Sequence, residues 1–429
     1  VQEAVPPRPA APVVPRGGVD SGRWPDVAAV PRRSRVRSAA VGTLVRRALD
    51  GLPIRVRFPD GTVLGTRGPT MTVYDSEALC RRLATGGLAG FGESYMAREW
   101  DTASGEELAE VLTVLAGHTA AMLPAGLRRI GPLLLRDRPR KRQRPSRGVP
   151  AGHHHGLPGE FFALFLDQTM MYSSALFDTV PARWPTFSQA QHRTIDRLLG
   201  LAGVGPGTRL LEIGTGWGEP AIRAAAHGAY VVTVTASEQE RELAEWRIRQ
   251  AGVRDRVTAL VGDYREVEGR YDAIVSVEAL EAADEKHWPH CFRGLQRLLA
   301  PGGRIALQMV TAPYDRLPIS RSMRSWIGKY LPSGGQVPSI EAIEQAMETH
   351  TRLRIAERES IRAHYAETLR LWRADAGRER FEEQAEQVAA LGFDTTFHRM
   401  WAFHLACSEA GFRSRCLDVH QLLVVDGAP

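Results

Sequence analysis

Leu210-Leu211-Glu212-Ile213-Gly214-Thr215-Gly216-Trp217-Gly218 is a short apolar run that breaks into three glycines at alternate positions. The pattern predicts a buried strand turning sharply into a helix, with Gly214, Gly216 and Gly218 removing the side chains that would hold a ligand off the backbone. A nucleoside-containing ligand is expected on this turn. The dinucleotide fingerprint requires Gly-x-Gly-x-x-Gly, and a phosphate loop requires Gly-Lys-Ser/Thr. The spacing here is Gly-x-Gly-x-Gly and no such tail follows, which argues against NAD and ATP.

Outward from this stretch, Val231 to Thr235 reads as a second strand, and Gly262-Asp263-Tyr264-Arg265 follows a third. Tyr271 to Val277 reads as a fourth, and Pro301-Gly302-Gly303 turns into a fifth, Arg304 to Val310. Strands alternating with helical segments predict a parallel α/β sheet with helices on both faces and ligands at the carboxyl ends of the strands. A long excursion, Ala312 to about Gly392, precedes a final strand over Cys416 to Val425 and is expected to cover the substrate. Glu212 ends the first strand, where methyltransferases that use S-adenosylmethionine (SAM) place an acidic residue near the cofactor.

The chain has 429 residues, more than one typical domain. Residues 1–40, rich in Pro, Ala and Val, are expected to form a disordered tail. Residues 41–127 read as a small α+β domain, with Ile54 to Phe58 alternating as a strand and Pro59-Asp60-Gly61 forming a hairpin turn. Helical patterns follow at Ser76 to Thr85 and Gly105 to Ala120. Residues 128–150 are expected to form a basic linker, and 151–429 a larger α/β domain that carries the glycine loop.

No run of about 18 apolar residues is present to span a membrane. Cys80, Cys291, Cys407 and Cys416 lack zinc spacing and are expected as buried thiols in a reducing cytoplasm. His153-His154-His155 has no further ligand in sequence, so no metal is expected. The net charge is +6 and is concentrated from Arg128 to Arg147, where basic residues flank Ile130 and Leu133 to Leu135. This composition suits the anionic inner face of a membrane, each charge contributing about 1 kcal/mol near the surface. A solvated linker is the plain alternative, and without aromatic interleaving no nucleic acid partner is expected.

Several segments together resemble the cyclopropane fatty acid synthase family of SAM-dependent lipid methyltransferases. They are Phe165 to Ala175, Ile213 to Gly218, Gly262 to Arg265, Val275 to Glu281, Trp326 to Tyr330, His364 to Leu369, Phe397 to Trp401 and Cys407 to Phe412. The resemblance implies a Rossmann-like methyltransferase sheet with a helical insertion, a phospholipid substrate at a membrane surface, and by analogy a homodimer. It also implies attack of a cis acyl double bond on the SAM methyl, leaving a carbocation on the chain. In the family's cyclopropane synthases the base is attributed to bicarbonate held by a Cys, a Glu, a His, a backbone group and a Tyr.

Position by position, Glu281 and Tyr365 match that set, Val310 falls at the backbone contact, and Ser174 and Gln308 replace the Cys and the His. These replacements speak against bicarbonate, and an extra carboxylate, Glu278, stands where some cyclopropane synthases have glycine. Glu278 or Glu281 is therefore expected to take the proton directly. A structural role for Glu278, capping a helix or pairing with an Arg, is the alternative.

The replacements resemble the actinobacterial branch that makes 10-methylene or 10-methyl (tuberculostearic-type) fatty acids, with a separate flavin- or NADPH-dependent reductase saturating the product. For SAM the resemblance implies Tyr172 and Ser173 at its amino-acid end, Gly214 and Gly216 along methionine and ribose, Thr235 and Gln239 after the second strand, and Asp263 and Tyr264 at the adenine. The family's lid motif is altered over His154 to Glu160. Trp326, Trp372 and Trp401 suit a lipid substrate or simply core packing. Ring closure to a cyclopropane, methylation of a small soluble olefin, and a non-catalytic lipid-surface binding protein remain the alternatives.

Overall fold

The structure is a computed structural model and describes residues 18–32, 35–65, 67–122, 157–283, 285–314, 326, 328–331, 337–373 and 385–427. The basic linker, the histidine run and the first three residues of the lid motif lie outside the described residues.

The amino-terminal part is α+β. Strands β1 (Arg55–Arg57), β2 (Val63–Leu64), β3 (Thr70–Val73) and β4 (Trp100–Asp101) form a sheet in the order β2-β1-β3-β4, with helices Arg35–Asp50, Ser76–Met96 and Gly105–Met122. β1 and β2 are the expected hairpin: Gly61 has φ +82° and Asp60 Oδ1 accepts from the Thr62 N–H at 2.9 Å. The helix expected to stop at Thr85 runs on to Met96, bent where Gly87 takes φ +54°.

The disordered tail predicted for 1–40 is wrong for its described second half. Trp24 and Val27 are buried, and Trp24 Nε1 donates to Asp394 Oδ2 at 2.8 Å. Arg82, fully buried, donates to the carbonyls of Asp26 and Val27 at 2.7 and 2.6 Å. One tryptophan among prolines and charges gives no periodicity to read, so this anchoring is purely tertiary.

The second sheet contains β5 (Arg209–Ile213), β6 (Tyr230–Thr235), β7 (Val257–Val261), β8 (Tyr271–Val277), β9 (Leu299–Thr311), β10 (Leu353–Ser360) and β11 (Asp418–Asp426), in the order β10-β11-β9-β8-β5-β6-β7. β9-β8-β5-β6-β7 are parallel, whereas β11 runs antiparallel to β9 and β10. Alternation along β5 decides its two faces. Leu211 and Ile213 join the side covered by helices Trp288–Leu298 and Ile340–His350, and Leu210 joins the side covered by Phe187–Leu201 and Glu219–Ala226. β10 was missed because it is a charged edge strand whose pairing is to β11, and only Leu353 and Ile355 at its start face the core before the charged Glu-Arg-Glu run. Chain order runs outward from β5 in both directions, so the switch point lies between β5 and β8, and their carboxyl ends splay apart to make a crevice.

Candidate active site

That crevice opens into a cavity of about 1010 Å³ lined by the loops after β5, β6, β7 and β8 and by helices Arg362–Arg373 and Thr395–Arg413. The three glycines of the first loop do different work. Gly214 has φ +92°, and a Cβ there would stand 2.7 Å from Ala279 Cβ, so the loops after β5 and β8 touch at this point. Gly216 faces open cavity, with nothing within 4 Å of an added Cβ. Gly218 does not line the cavity; it starts the following helix with φ +87° and packs on Ala244.

After β6, Thr235 lines the cavity as expected but Gln239 does not. Ser237 caps the helix Glu238–Gln250 by accepting from the Glu240 N–H. This register turns Glu240 back over the first turn and sends Gln239, two residues past the cap, to solvent. Thr235 Oγ1 donates to Glu240 Oε2 at 2.5 Å, placing the carboxylate in the cavity wall. Glu240 was missed by one residue; the Ser-x-x-Glu capping pattern was the available signal. Asp263 and Tyr264 line the cavity after β7, with Asp263 held below the usual carboxylate range by Arg265.

Glu278, just past β8, is the centre of the site. It is a non-glycine residue at φ +52°, its N–H fixed to the Gln308 carbonyl at 2.8 Å. Such backbone is costly for a side-chain-bearing residue and persists where surrounding contacts impose it. Its half-buried carboxylate accepts from three side chains: Ser173 Oγ, Gln308 Nε2 at 3.0 Å, both to Oε1, and Tyr365 OH at 2.8 Å to Oε2. Burial raises its carboxyl above the ordinary range, and these donors pull it partly back. Gln421, opposite Gln308 on β11, donates to Gln308 Oε1 at 2.9 Å and so orients the amide toward Glu278. Gln421 was also missed; it is a buried amide just ahead of the apolar run Leu422 to Val425.

Glu281 accepts from the Val310 N–H at 2.5 Å. Ser174 does not join the site through its hydroxyl, which donates to the Ala175 carbonyl at 3.1 Å away from the cavity lining. Gln308 also lies behind the lining and acts through Glu278. Ser173, expected at SAM, lines the cavity and gives its hydroxyl to Glu278. Bicarbonate does not fit this arrangement, because Gln308, Tyr365, Val310 and Ser174 all spend their donors on protein acceptors.

The remaining wall is aromatic. Tyr172 stacks on Trp372 with ring centroids 5.1 Å apart, its hydroxyl 3.3 Å from His404 Nε2. Trp401 and Trp326 line the same cavity, as do His404 and Phe412, the last stacked on Tyr365 at 4.5 Å. The indole N–H groups of Trp326, Trp372 and Trp401 find no acceptor among the described residues, and the wall as a whole is mainly aromatic carbon. No described group of His, Cys, Asp and Glu could hold a metal, and no described helix is long and apolar enough to cross a membrane.

Glu212 lies outside the lining, fully buried on β5 next to Thr233, whose hydroxyl is engaged 2.7 Å away by Thr215. Burial carries its carboxyl from 4.5 to about 8. Between those values the folded chain keeps a proton that the unfolded chain has released, so the stability it contributes is full at low pH and is lost as pH rises toward 8. Glu212→Gln is expected to flatten that slope and to stabilise the fold at high pH by on the order of 4 kcal/mol. Urea unfolding at acid and alkaline pH measures it, and equal slopes for both proteins would mean that Glu212 is ionised in the fold.

A switch-point glycine loop, a carboxylate on the first turn of the helix after β6, an Asp-Tyr pair after β7 and a large cavity with an aromatic wall define a SAM-dependent methyltransferase. The chain belongs to the mycolic acid cyclopropane synthetase family, whose sequence model matches residues 142–422. It is 45% identical to the tuberculostearic acid methyltransferase UfaA1 of Mycobacterium tuberculosis (strain ATCC 25618 / H37Rv), over 97% of this chain and 98% of that one. It is 28% identical to the cyclopropane-fatty-acyl-phospholipid synthase of Escherichia coli (strain K12), over 81% and 85%. Among solved structures it is similar to mycolic acid cyclopropane synthase CmaA1 complexed with SAH and CTAB, with TM-score 0.57 and 26% identity over 65% of this chain and 96% of that one.

Proposed function

We propose that this enzyme methylates the cis double bond of an unsaturated phospholipid acyl chain, oleoyl in type, and yields the exocyclic methylene precursor of a 10-methyl branched fatty acid. The observation that carries this reading is the Glu278 carboxylate, held by Ser173, Gln308 and Tyr365 in a cavity walled by aromatic carbon. SAM supplies an electrophilic methyl. Gly214, Gly216, Thr235, Glu240, Asp263 and Tyr264 would hold it, and the double bond approaches from the aromatic side.

The cation left on the chain needs a wall without nucleophiles, and the faces of Tyr172, Trp372, Trp401 and Phe412 provide it while favouring positive charge. After a hydride shift places the charge on the methyl-bearing carbon, loss of a methyl proton forms the methylene. Glu278 Oε1 accepts from two side-chain donors and Oε2 from one, so Oε2 is assigned to take the proton. Saturation of the methylene needs a separate reductase. The similarity to a tuberculostearic acid methyltransferase across nearly the whole chain supports the same product class.

The test is incubation with SAM and dioleoyl phosphatidylglycerol vesicles, followed by mass spectrometry that locates the added carbon. A methylene at the former double bond supports the reading. A ring overturns the product assignment, and absence of any lipid product overturns the substrate. At the cofactor end, Glu240→Ala is expected to weaken SAM binding about tenfold or more, the scale of a lost charge-assisted hydrogen bond, with Gln239→Ala unchanged. Calorimetric titration with SAM decides it, and equal effects would remove Glu240 from the site.

A further inference from the structure

A second cavity of about 250 Å³ lies inside the amino-terminal domain. Its walls include Leu49, Met71, Leu83, Phe91 and Leu112, and it shares two residues, Trp326 and Cys407, with the lining of the catalytic cavity. Close-packed interiors do not keep voids of this size without cost. Apart from Trp326, Phe403 and Cys407, the walls come from residues 42–116, outside the span matched by the family.

Three features fit one occupant. Burial pushes the Cys407 thiol up to about 12, so it is an uncharged group at the shared wall. Trp326 lies against Gly92, where a Cβ would come within 2.4 Å of its Nε1, and no described hydrogen bond ties the indole in place. The helix Thr395–Arg413 runs from Phe412, stacked on Tyr365 beside Glu278, past Cys407 to Phe403 at the chamber. At 1.5 Å per residue these points are about 8 and 14 Å along the axis from Phe412.

We infer that the chamber receives the methyl-terminal end of the acyl chain whose double bond reacts at Glu278, the chain passing Trp326 and Cys407 from the catalytic cavity. Beyond its double bond an oleoyl chain has eight carbons, about 10 Å when extended, so with the double bond near Phe412 its last few carbons pass Cys407, about 8 Å along the helix, and enter the chamber. The amino-terminal domain thereby measures the chain on the far side of the reacting carbons. This inference rests on the proposed acyl substrate.

The experiment compares oleoyl, palmitoleoyl and myristoleoyl phosphatidylglycerol vesicles, whose chains share the carboxyl-to-double-bond distance and differ beyond it. Leu83→Trp is expected to lower oleoyl turnover about tenfold or more while myristoleoyl turnover stays within about twofold. Gly42→Leu, where an added Cβ meets Cys80 Sγ at 3.3 Å and nothing else within 4 Å, fills the chamber from another helix and is expected to act alike. Equal loss on all three chains, or no loss on any, overturns the inference. Independently of any variant, oleoyl chains carrying a diazirine at the methyl end should label residues within 42–116 on irradiation, and label confined to the catalytic domain overturns it. An unsubstituted enzyme that methylates none of the three chains overturns the proposed function itself, a result distinct from methylation with unchanged chain selectivity.

Discussion

Glu278→Gly lowers turnover by about a hundredfold to ten-thousandfold, the range a positioned general base contributes, and leaves the fold intact. Glycine accepts φ +52° at no steric cost, so the substitution removes the strain along with the carboxylate. It also frees Ser173 Oγ, Gln308 Nε2 and Tyr365 OH, three donors that now converge on Glu278. Bicarbonate or formate added to the variant is expected to restore part of the activity by occupying that vacated position. The pH profile gives a second readout. Glu278 must be ionised to accept a proton, and burial raises its carboxyl, so turnover should fall as pH drops through a value above the ordinary carboxylate range. The variant should lose that limb. Steady-state rates with and without added anion measure both effects, and a Glu278→Gly enzyme as fast as its parent would assign the base elsewhere.

The second large effect separates two glycines that look alike in sequence. Gly214→Ala places a methyl 2.7 Å from Ala279 Cβ on a backbone at φ +92°. Left-handed strain of about 1–2 kcal/mol and overpacking of about 1–3 kcal/mol act together, a large fraction of the roughly 5–15 kcal/mol that holds a domain folded. The variant should unfold at markedly lower temperature and shift the loop carrying Glu278. Gly216→Ala carries backbone strain at φ +49° but meets nothing within 4 Å, so it should fold and instead lose SAM affinity, its methyl standing where the cofactor approaches the backbone. Thermal unfolding paired with SAM titration distinguishes them. Similar melting temperatures for the two variants would mean that the contact between Gly214 and Ala279 carries no weight.

Local pattern was enough for the order of β5 to β9, the hairpin at Pro59-Asp60-Gly61 and the glycine loop, because strand periodicity and turn chemistry are short-range properties, whereas the candidates Glu278, Glu281 and Tyr365 came from the resemblance to the family. Comparison with the family pattern singled out Glu278 as an added carboxylate. What that carboxylate touches was not legible. Ser173, Gln308 and Tyr365, with Gln421 behind Gln308, come from four segments up to 248 residues apart in number, and the first three meet Glu278 only because β8, β9 and β11 are neighbours in register and the helix Arg362–Arg373 packs over their ends.

Facing likewise required the fold. Ser174 and Ser173 are adjacent and chemically identical, yet one turns its hydroxyl to its neighbour's carbonyl and the other to Glu278. Gln239 and Glu240 exchange roles through a helix cap that sets the rotation of the first turn. Trp24 and the chamber beneath Trp326 left no local trace, since burial at those places is supplied by residues distant in sequence. The sequence by itself determined the strands, the turns and the kinds of chemical group available. Tertiary structure decided which groups meet and which way they point, because side-chain direction and burial depend on contacts between segments that no local pattern encodes.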